Sequence, residues 1–475
     1  MNATRVAAVA LACALVGGLA PAYARITAQT AAGPVDPTYP GLGDHGYRAR
    51  HYTVRVTYGL HSHRLTGTTT IRARATSDLT SFDLDLRLAT RSVKVDGKPA
   101  HFSMHDGKLT VTPAQPITDG TSFTTRVRYA GLPARIHYPE AGYGWMRTPD
   151  GALVAGEPWA ASSWFPSNDH PTQKAPFDIF VTTAARKQVV SNGVLVSRRH
   201  AAHRRTRWHW RMKRPMATYL AYLEIGDFTF ERGHSKAGVP YLYAISKHLG
   251  TVRKAAVTSL RRTPRIIDFY ARKFGRYPFP SVGGTLANAR FPFSLENQGR
   301  PQYSKEFFDY GTNDGVIAHE LGHMWFGDEV SLERWSDIWL NEGFAQWSEW
   351  LWEDHSGEIP MRDNFENAWY GESTPGFWSI PIGEPTRSQM FNWAIYDRGA
   401  MTLAALRRVI GSDHFFTLLR TWVRRHRYGN ATTEQFEALA EQISGRDLTS
   451  FFDVWLRTTK KPAATAANGV PPGLD

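Results

Sequence analysis

At 475 residues the chain is too long for one ordinary domain, and a scale of about 150 residues per domain suggests two or three. Hydrophobic residues make up 42% and charged ones 21%, the balance of a soluble globular protein with a real core. The formal net charge is +13, but a nucleic-acid binder of that charge also carries a recognised binding fold; none is legible, which excludes that class.

At the amino terminus, Arg5 precedes the apolar run "VAAVALACALVGGLA", residues 6–20, and "AYA", residues 22–24, is a small-residue cleavage site. The pattern predicts a secretory signal peptide over residues 1–24 and a secreted protein. A retained anchor is the alternative, although the run is short for a membrane span, and no later segment approaches one. Cys13 is the only cysteine and lies inside this run, so the mature chain is expected to fold without disulfides. Residues 25–45, rich in Pro, Gly and Thr, read as a flexible leader.

Strand signals follow. Tyr52, Val54, Val56 and Tyr58 alternate with polar residues, as do Phe82, Leu84, Leu86 and Leu88. Alternation of period two, broken by Gly, Pro and Asp, predicts an antiparallel β-rich domain over residues 46–232. Its last strand region is "TYLAYLEIGDFTFE", residues 218–231. Much of the positive charge falls in "SRRHAAHRRTRWHWRMKR", residues 197–214. That stretch reads as a solvated hairpin, with weak contact to anionic surface polymers or membranes as the functional alternative.

From about residue 250 the helical period takes over. Asp314 is expected to cap a helix through "GVIAHELGHMWF" that Gly327 ends, and Asp337 to cap another through "IWLNEGFAQWSEWLWEDHSG". "RGAMTLAALRRVIG" and "TTEQFEALAEQIS" add two more. The fold class expected is thus α+β, with the β domain followed by a mainly helical domain over residues 233–459. The tail, residues 460–475, holds Pro462, Pro471 and Pro472 and is expected to be disordered.

The chemistry concentrates in "HELGHMWFGDEV", residues 319–330. Positions i and i+4 share a helix face, so His319 and His323 can aim both imidazoles at one ion. Glu320 leaves the helix close to that face, near enough to reach a ligand water but aimed too differently to be a third ligand. This is a metalloprotease pattern; the bland alternative is a pair of helical histidines. A catalytic zinc needs three protein ligands and an open position, and Glu342, 19 residues after His323 on the next helix, supplies the third. Among Trp339, Leu340, Phe344 and Trp347, an unpaired Glu342 carboxylate would be costly to bury. Zinc so held brings the pKa of a bound water towards about 7, and Glu320 takes its proton and delivers it to the leaving amine. Zinc is inferred from ligand type; cobalt or manganese fit the same donors in vitro.

At this point a resemblance becomes specific. "HELGH", 18 residues, then Glu342 in "NEGFA" resembles the gluzincin aminopeptidases of peptidase family M1. "EPWAASSWFPSNDHPTQKAPFDI" from Glu157, "SNG" at 191–193 and "YDRGAMTLAALR" from Tyr396 are similar to further blocks of that family, with Arg398 in a lysine position. The match runs from about residue 45 to 458, without the large C-terminal helical domain of many relatives, which implies a short form. The resemblance implies a saddle-like N-terminal β domain and a thermolysin-like catalytic domain. It implies one zinc on His319, His323 and Glu342, and removal of N-terminal residues from peptides with a free amino terminus. By position, Tyr396 would be an oxyanion donor, Glu296 with Asn297 in "FSLENQ" would bind the substrate's α-ammonium, and Glu157 would add a second anionic contact. An anionic anchor beside the metal leaves room for one residue beyond the scissile bond. Phe293-Ser294-Leu295 depart from the family's Gly-Ala/Gly-Met, Ala155 from Gln and Asp328 from Asn, so specificity is the least transferable part. A thermolysin-like endopeptidase, a lipid-epoxide hydrolase and a non-catalytic surface protein are the rival readings.

Overall fold

The computed structural model describes residues 36–136, 143–371 and 376–474; the expected signal peptide lies outside them. The alternation read from the sequence is realised in the strand Tyr47–Tyr58, where Tyr52, Val54, Val56 and Tyr58 are all buried. This strand is central in an eight-stranded sheet. In spatial order the strands are Val194–Ala201, Arg205–Met216, Ala175–Ala184, Tyr47–Tyr58, Leu65–Ala75, Ser122–Gly131, Ala89–Val95 and Lys98–Pro99. The sheet is antiparallel except between Tyr47–Tyr58 and Ala175–Ala184, which run parallel. More than a hundred residues separate that pair in sequence, length enough for a crossover connection. A three-stranded sheet, Phe82–Asp85, Lys108–Thr112 and His101–His105, adds to the core: Phe82 meets Tyr47 and Phe123 of the large sheet.

The basic stretch forms the hairpin Val194–Ala201 and Arg205–Met216, turning at His203 and Arg204, both with positive φ. Trp208, Trp210 and Met212 point inward and are buried, while the arginines alternate outward, as a solvated hairpin requires.

The last strand region expected for the β domain is divided. Leu223–Gly226 belongs to a four-stranded sheet with Gln188–Ser191, Gly151–Val154 and Trp145–Thr148. Phe228–His234 already pairs with Pro240–Ser246 in the sheet of the following domain, completed by Val282–Leu286 and Gln302–Tyr303. The chain therefore changes sheets at Asp227.

The helices are α1 (Arg253–Leu260), α2 (Thr263–Phe274), α3 (Asp314–Gly322), α4 (Trp339–Ser356), α5 (Met361–Tyr370), α6 (Trp393–Ile410), α7 (Ser412–Arg425), α8 (Thr433–Ser444) and α9 (Thr449–Phe452). Three expectations about their ends are corrected. Asn313, not Asp314, caps α3, its side chain accepting from the Val316 N–H; Asp314 is the first helical residue and pairs with Arg262. The helix stops at Gly322, and Met324, Trp325 and Phe326 are buried in turns, where apolar residues imitate a continuing helix. Likewise α4 begins after Asp337, whose carboxylate instead receives the Thr433 N–H and hydroxyl at the start of α8.

Glycines set how closely the central helices approach. A Cβ on Gly343 of α4 would lie 2.8 Å from the Gly399 Cα of α6, and one on Gly322 of α3 2.8 Å from the Ser348 Cβ of α4. Each glycine is next to or near a site residue: His323, Glu342 and Tyr396.

Two segments expected to be mobile are packed. Asp36 accepts the Trp335 N–H at 2.7 Å, and the Tyr39 ring meets Trp159 and Trp335 edge-on, so this part of the leader is pinned between the two halves. In the tail, the Asn468 carbonyl accepts from Trp455 Nε1 at 3.0 Å and the Leu474 carbonyl from Trp369 Nε1 at 3.1 Å. Val470 and Leu474 are buried. Proline content suggested disorder, but buried indole N–H groups need acceptors, and this segment supplies two.

Candidate active site

His319 lies at the start of α3's last turn, and His323 is its C-cap. The α3–α4 connection, residues 323–338, folds α4 back so that Glu342, in its first turn, faces both imidazoles. Glu342 Oε2 lies 3.5 Å from His319 Nε2 and 3.4 Å from His323 Nε2. Ligand atoms bound to tetrahedral zinc at about 2.0–2.1 Å stand roughly 3.3–3.4 Å apart. The donor set fits zinc by spacing as well as by type.

The other ring nitrogens are held too. His319 Nδ1 lies 3.2 Å from Glu349 Oε2 and His323 Nδ1 3.2 Å from the Phe326 carbonyl. Carboxylate and carbonyl only accept, so each Nδ1 carries the hydrogen and each Nε2 presents its lone pair to the shared point. Sequence reasoning missed Glu349. Its signal was available: it stands seven residues after Glu342, two turns along the same face of α4.

The site calls for positive charge. Burial works to raise the Glu342 pKa, but the imidazoles of His323 and His319 outweigh it and hold it at about 2. Burial also disfavours charge on His319, yet Glu342 and Glu349 lift its pKa well above the usual imidazole range. A cation among the three ligand atoms satisfies the same demand.

Further acids surround the ligands. Glu157, Glu296 and Glu342 each offer an oxygen within 4.8 Å of one another, and so do Glu296 and Glu320 with a His323 nitrogen. Glu296 Oε1, Glu157 Oε2 and Glu320 Oε2 are buried with no hydrogen-bond partner among the described residues. Burial, with the Glu296 charge next, raises the Glu157 pKa well above the carboxylate range, and burial pushes Glu320 to about 8. Orphaned buried carboxylates are costly; several at one cavity mark a place built for a cationic ligand.

Tyr396, in α6, stacks near His319 with ring centroids 6.1 Å apart and touches Trp393 at 5.5 Å. Burial raises its pKa well above the usual value, which keeps the phenol a neutral donor. These side chains line one cavity of about 1080 Å³. Its rim adds Phe391 and Trp393, exposed aromatics. One wall is aromatic: Phe293 meets Tyr143 at 4.8 Å and Phe291 at 5.0 Å. Ala155 and Leu295 belong to the same apolar cluster, and Leu295 also lines the cavity, so two of the departures from the family pattern pack together.

Asn297 does not line this cavity. Its amide donates to the Leu220 carbonyl at 3.2 Å beneath it, which makes it part of the support for Glu296. Other residues of the resembling blocks also hold backbone. Lys174 donates to the carbonyls of Asp328, Glu329 and Gly429, Asn192 to that of Leu220, and fully buried Arg398 to those of Trp455, Ile380 and Thr458.

Residues 48–220 match the peptidase M1 N-terminal domain and residues 258–455 the peptidase family M1 domain. With this fold and this site, the chain belongs to peptidase family M1. It is similar to the M1 zinc metallopeptidase from Deinococcus radiodurans, at 25% identity and a TM-score of 0.82, over 90% of this chain and 97% of that one. A mutant of that protein bound to a Tyr-Ser-Ala substrate gives a TM-score of 0.81 at 25% identity, over 90% of this chain and 98% of that one. Endoplasmic reticulum aminopeptidase 1 of Mus musculus is 27% identical over 408 residues, 80% of this chain and 42% of that protein. Aminopeptidase N of Lactococcus lactis subsp. lactis is 27% identical over 327 residues, 64% of this chain and 38% of that protein. The chain thus spans less than half the length of these two curated relatives.

Proposed function

We propose that the chain is a zinc-dependent aminopeptidase that removes the first residue from peptides with a free amino terminus. The observation that carries this reading is the pair Glu157 and Glu296, each with one buried oxygen that has no hydrogen-bond partner among the described residues, and each offering an oxygen within 4.8 Å of Glu342. A substrate α-ammonium satisfies both acids, and its position sets the scissile bond one residue away.

His319, His323 and Glu342 would hold one zinc, which when bound supplies a Lewis acid and a water of pKa near 7. Glu320 takes the proton from the attacking water and passes it to the leaving amine. Tyr396 donates its O–H to the carbonyl oxygen as negative charge develops there; loss of one such donor typically costs about a hundredfold or more in rate. Glu296 and Glu157 accept hydrogen bonds from the α-ammonium, each worth roughly 1.5–3 kcal/mol for a charged group. The aromatic wall of Phe293 and Tyr143 favours an apolar first side chain. Likeness to a metallopeptidase bound to Tyr-Ser-Ala supports peptides as the substrate class.

Secretion belongs to the same reading and is supported by the pattern of residues 1–24. Among the described residues no helix is long and apolar enough to cross a membrane.

The test is metal removal and return. Protein stripped by a chelator and reloaded with one equivalent of zinc should regain hydrolysis of aminoacyl p-nitroanilides with apolar first residues. A reloaded, folded protein inactive on a full panel of first residues would contradict the assignment.

A further inference from the structure

The eight-stranded sheet buries one face and leaves the other to solvent, and that outer face carries one sign of charge. Asp178 is the only carboxylate in its eight strands. It is already engaged, accepting from His209, from Arg211 Nε at 2.7 Å and facing His51 Nε2 at 3.1 Å. The solvent face of a sheet ordinarily alternates signs, because like charges directly opposite are destabilising. Here exposed Arg48 stands opposite exposed Arg74, and exposed Arg199 opposite exposed Arg207. Arg55, on the central strand, has its pKa lowered by burial and by the charge of Arg207, with Asp178 opposing and Arg126 adding to the effect. The positive field therefore runs across the strands, none of these arginines lines the acid-lined cavity, and the peptidase reading leaves the field unexplained.

The composition of the face selects the partner. Thr68 lies opposite Arg55 and Thr70 opposite Arg126, so a hydroxyl donor accompanies each of these two guanidinium groups. A tetrahedral phosphate offers oxygens to both, whereas one guanidinium fork saturates a planar carboxylate. Stacking of bases, the usual second element of single-strand binding, has no platform. Phe180 is the aromatic of this central row, and Arg55 covers it at 3.7 Å from one neighbouring strand while the His209 ring stacks on it at 3.9 Å from the other. An eight-stranded sheet also twists, so the face suits a flexible chain better than a flat bilayer.

We infer that the outer face of the large sheet binds a linear phosphate-backbone polymer without bases, laid across the strands against Arg55, Arg126, Arg199 and Arg207. The holoenzyme would be titrated with inorganic polyphosphate at low and at raised salt. The comparison is a variant carrying Arg55→Gln, Arg126→Gln, Arg199→Gln and Arg207→Gln, and a control variant with Lys254→Gln, Arg265→Gln, Arg272→Gln and Arg420→Gln on the helical half. Both variants should keep full peptidase turnover, which reports folding independently. The sheet variant should bind polyphosphate at least about tenfold more weakly with a flatter salt dependence, and the control should change little. Equal weakening in both variants would reduce the effect to net charge and overturn the assignment. So would absence of polyphosphate binding at low salt, or tighter binding of single-stranded DNA, polyglutamate or anionic phospholipid vesicles than of polyphosphate. Loss of turnover in wild-type protein with polyphosphate binding intact would fault the peptidase reading and leave this one standing.

Discussion

Glu342 and Glu349 stand two turns apart on one face of α4 and address opposite edges of the same imidazole: Glu342 Oε2 is 3.5 Å from His319 Nε2, and Glu349 Oε2 is 3.2 Å from His319 Nδ1. In the proposed zinc site, one helix would thus supply both a metal ligand and the group that orients another ligand. Glu349→Gln should keep the fold and weaken zinc by about 10–100-fold, read by chelator competition, with turnover largely recovered at saturating zinc. Unchanged zinc affinity would remove Glu349 from that role.

Glu320 and His323 separate chemistry from metal binding. Glu320→Gln should retain one zinc and lose turnover by a factor of about 10²–10⁴ or more, whereas His323→Ala should lose both. Turnover by Glu320→Gln at a rate comparable to wild type would refute the proposed base.

The convergence of His319, His323 and Glu342 and the β domain were legible because they rest on local periods. Four-residue spacing on α3, a glutamate at fixed distance and period-two alternation each survive without tertiary information. What escaped depends on contacts between distant segments. Asn297 follows Glu296 directly, yet its amide is taken up by the Leu220 carbonyl, a partner 77 residues away that local spacing does not reveal. The end of α3 was misread because Met324, Trp325 and Phe326 are as buried in turns as they would be in a helix.

The tail offers a stability test of one such distant contact. Truncation after Thr459 removes the acceptors of Trp369 Nε1 and Trp455 Nε1. Each orphaned buried donor costs about 1–3 kcal/mol, so the thermal midpoint should fall by several degrees at fixed zinc. An unchanged midpoint would show that the tail contributes nothing to the core.

The α4–α6 crossing can be probed at Gly343. With a Cβ there only 2.8 Å from Gly399 Cα, Gly343→Ala must push the helices apart. Overpacking of this kind costs about 1–3 kcal/mol, and Tyr396 and Glu342 should separate with it. The expected result is a lowered midpoint together with reduced turnover at saturating zinc. A variant less stable but fully active would show that the crossing does not position the site.

Glu296→Ala should weaken free-amine substrates by about 10–100-fold, the equivalent of one charge-assisted hydrogen bond, with zinc content unchanged. An unaltered preference for free amines would take Glu296 out of amine binding.

The measurement that bears most directly on the central claim is a paired rate assay on zinc-loaded protein, with leucine p-nitroanilide and its N-acetylated counterpart. Glu157 and Glu296 beside the ligand triad predict turnover of the free amine and none of the blocked substrate. Comparable rates on both would contradict an amine-anchored exopeptidase and point to an endopeptidase or general amidase at the same metal.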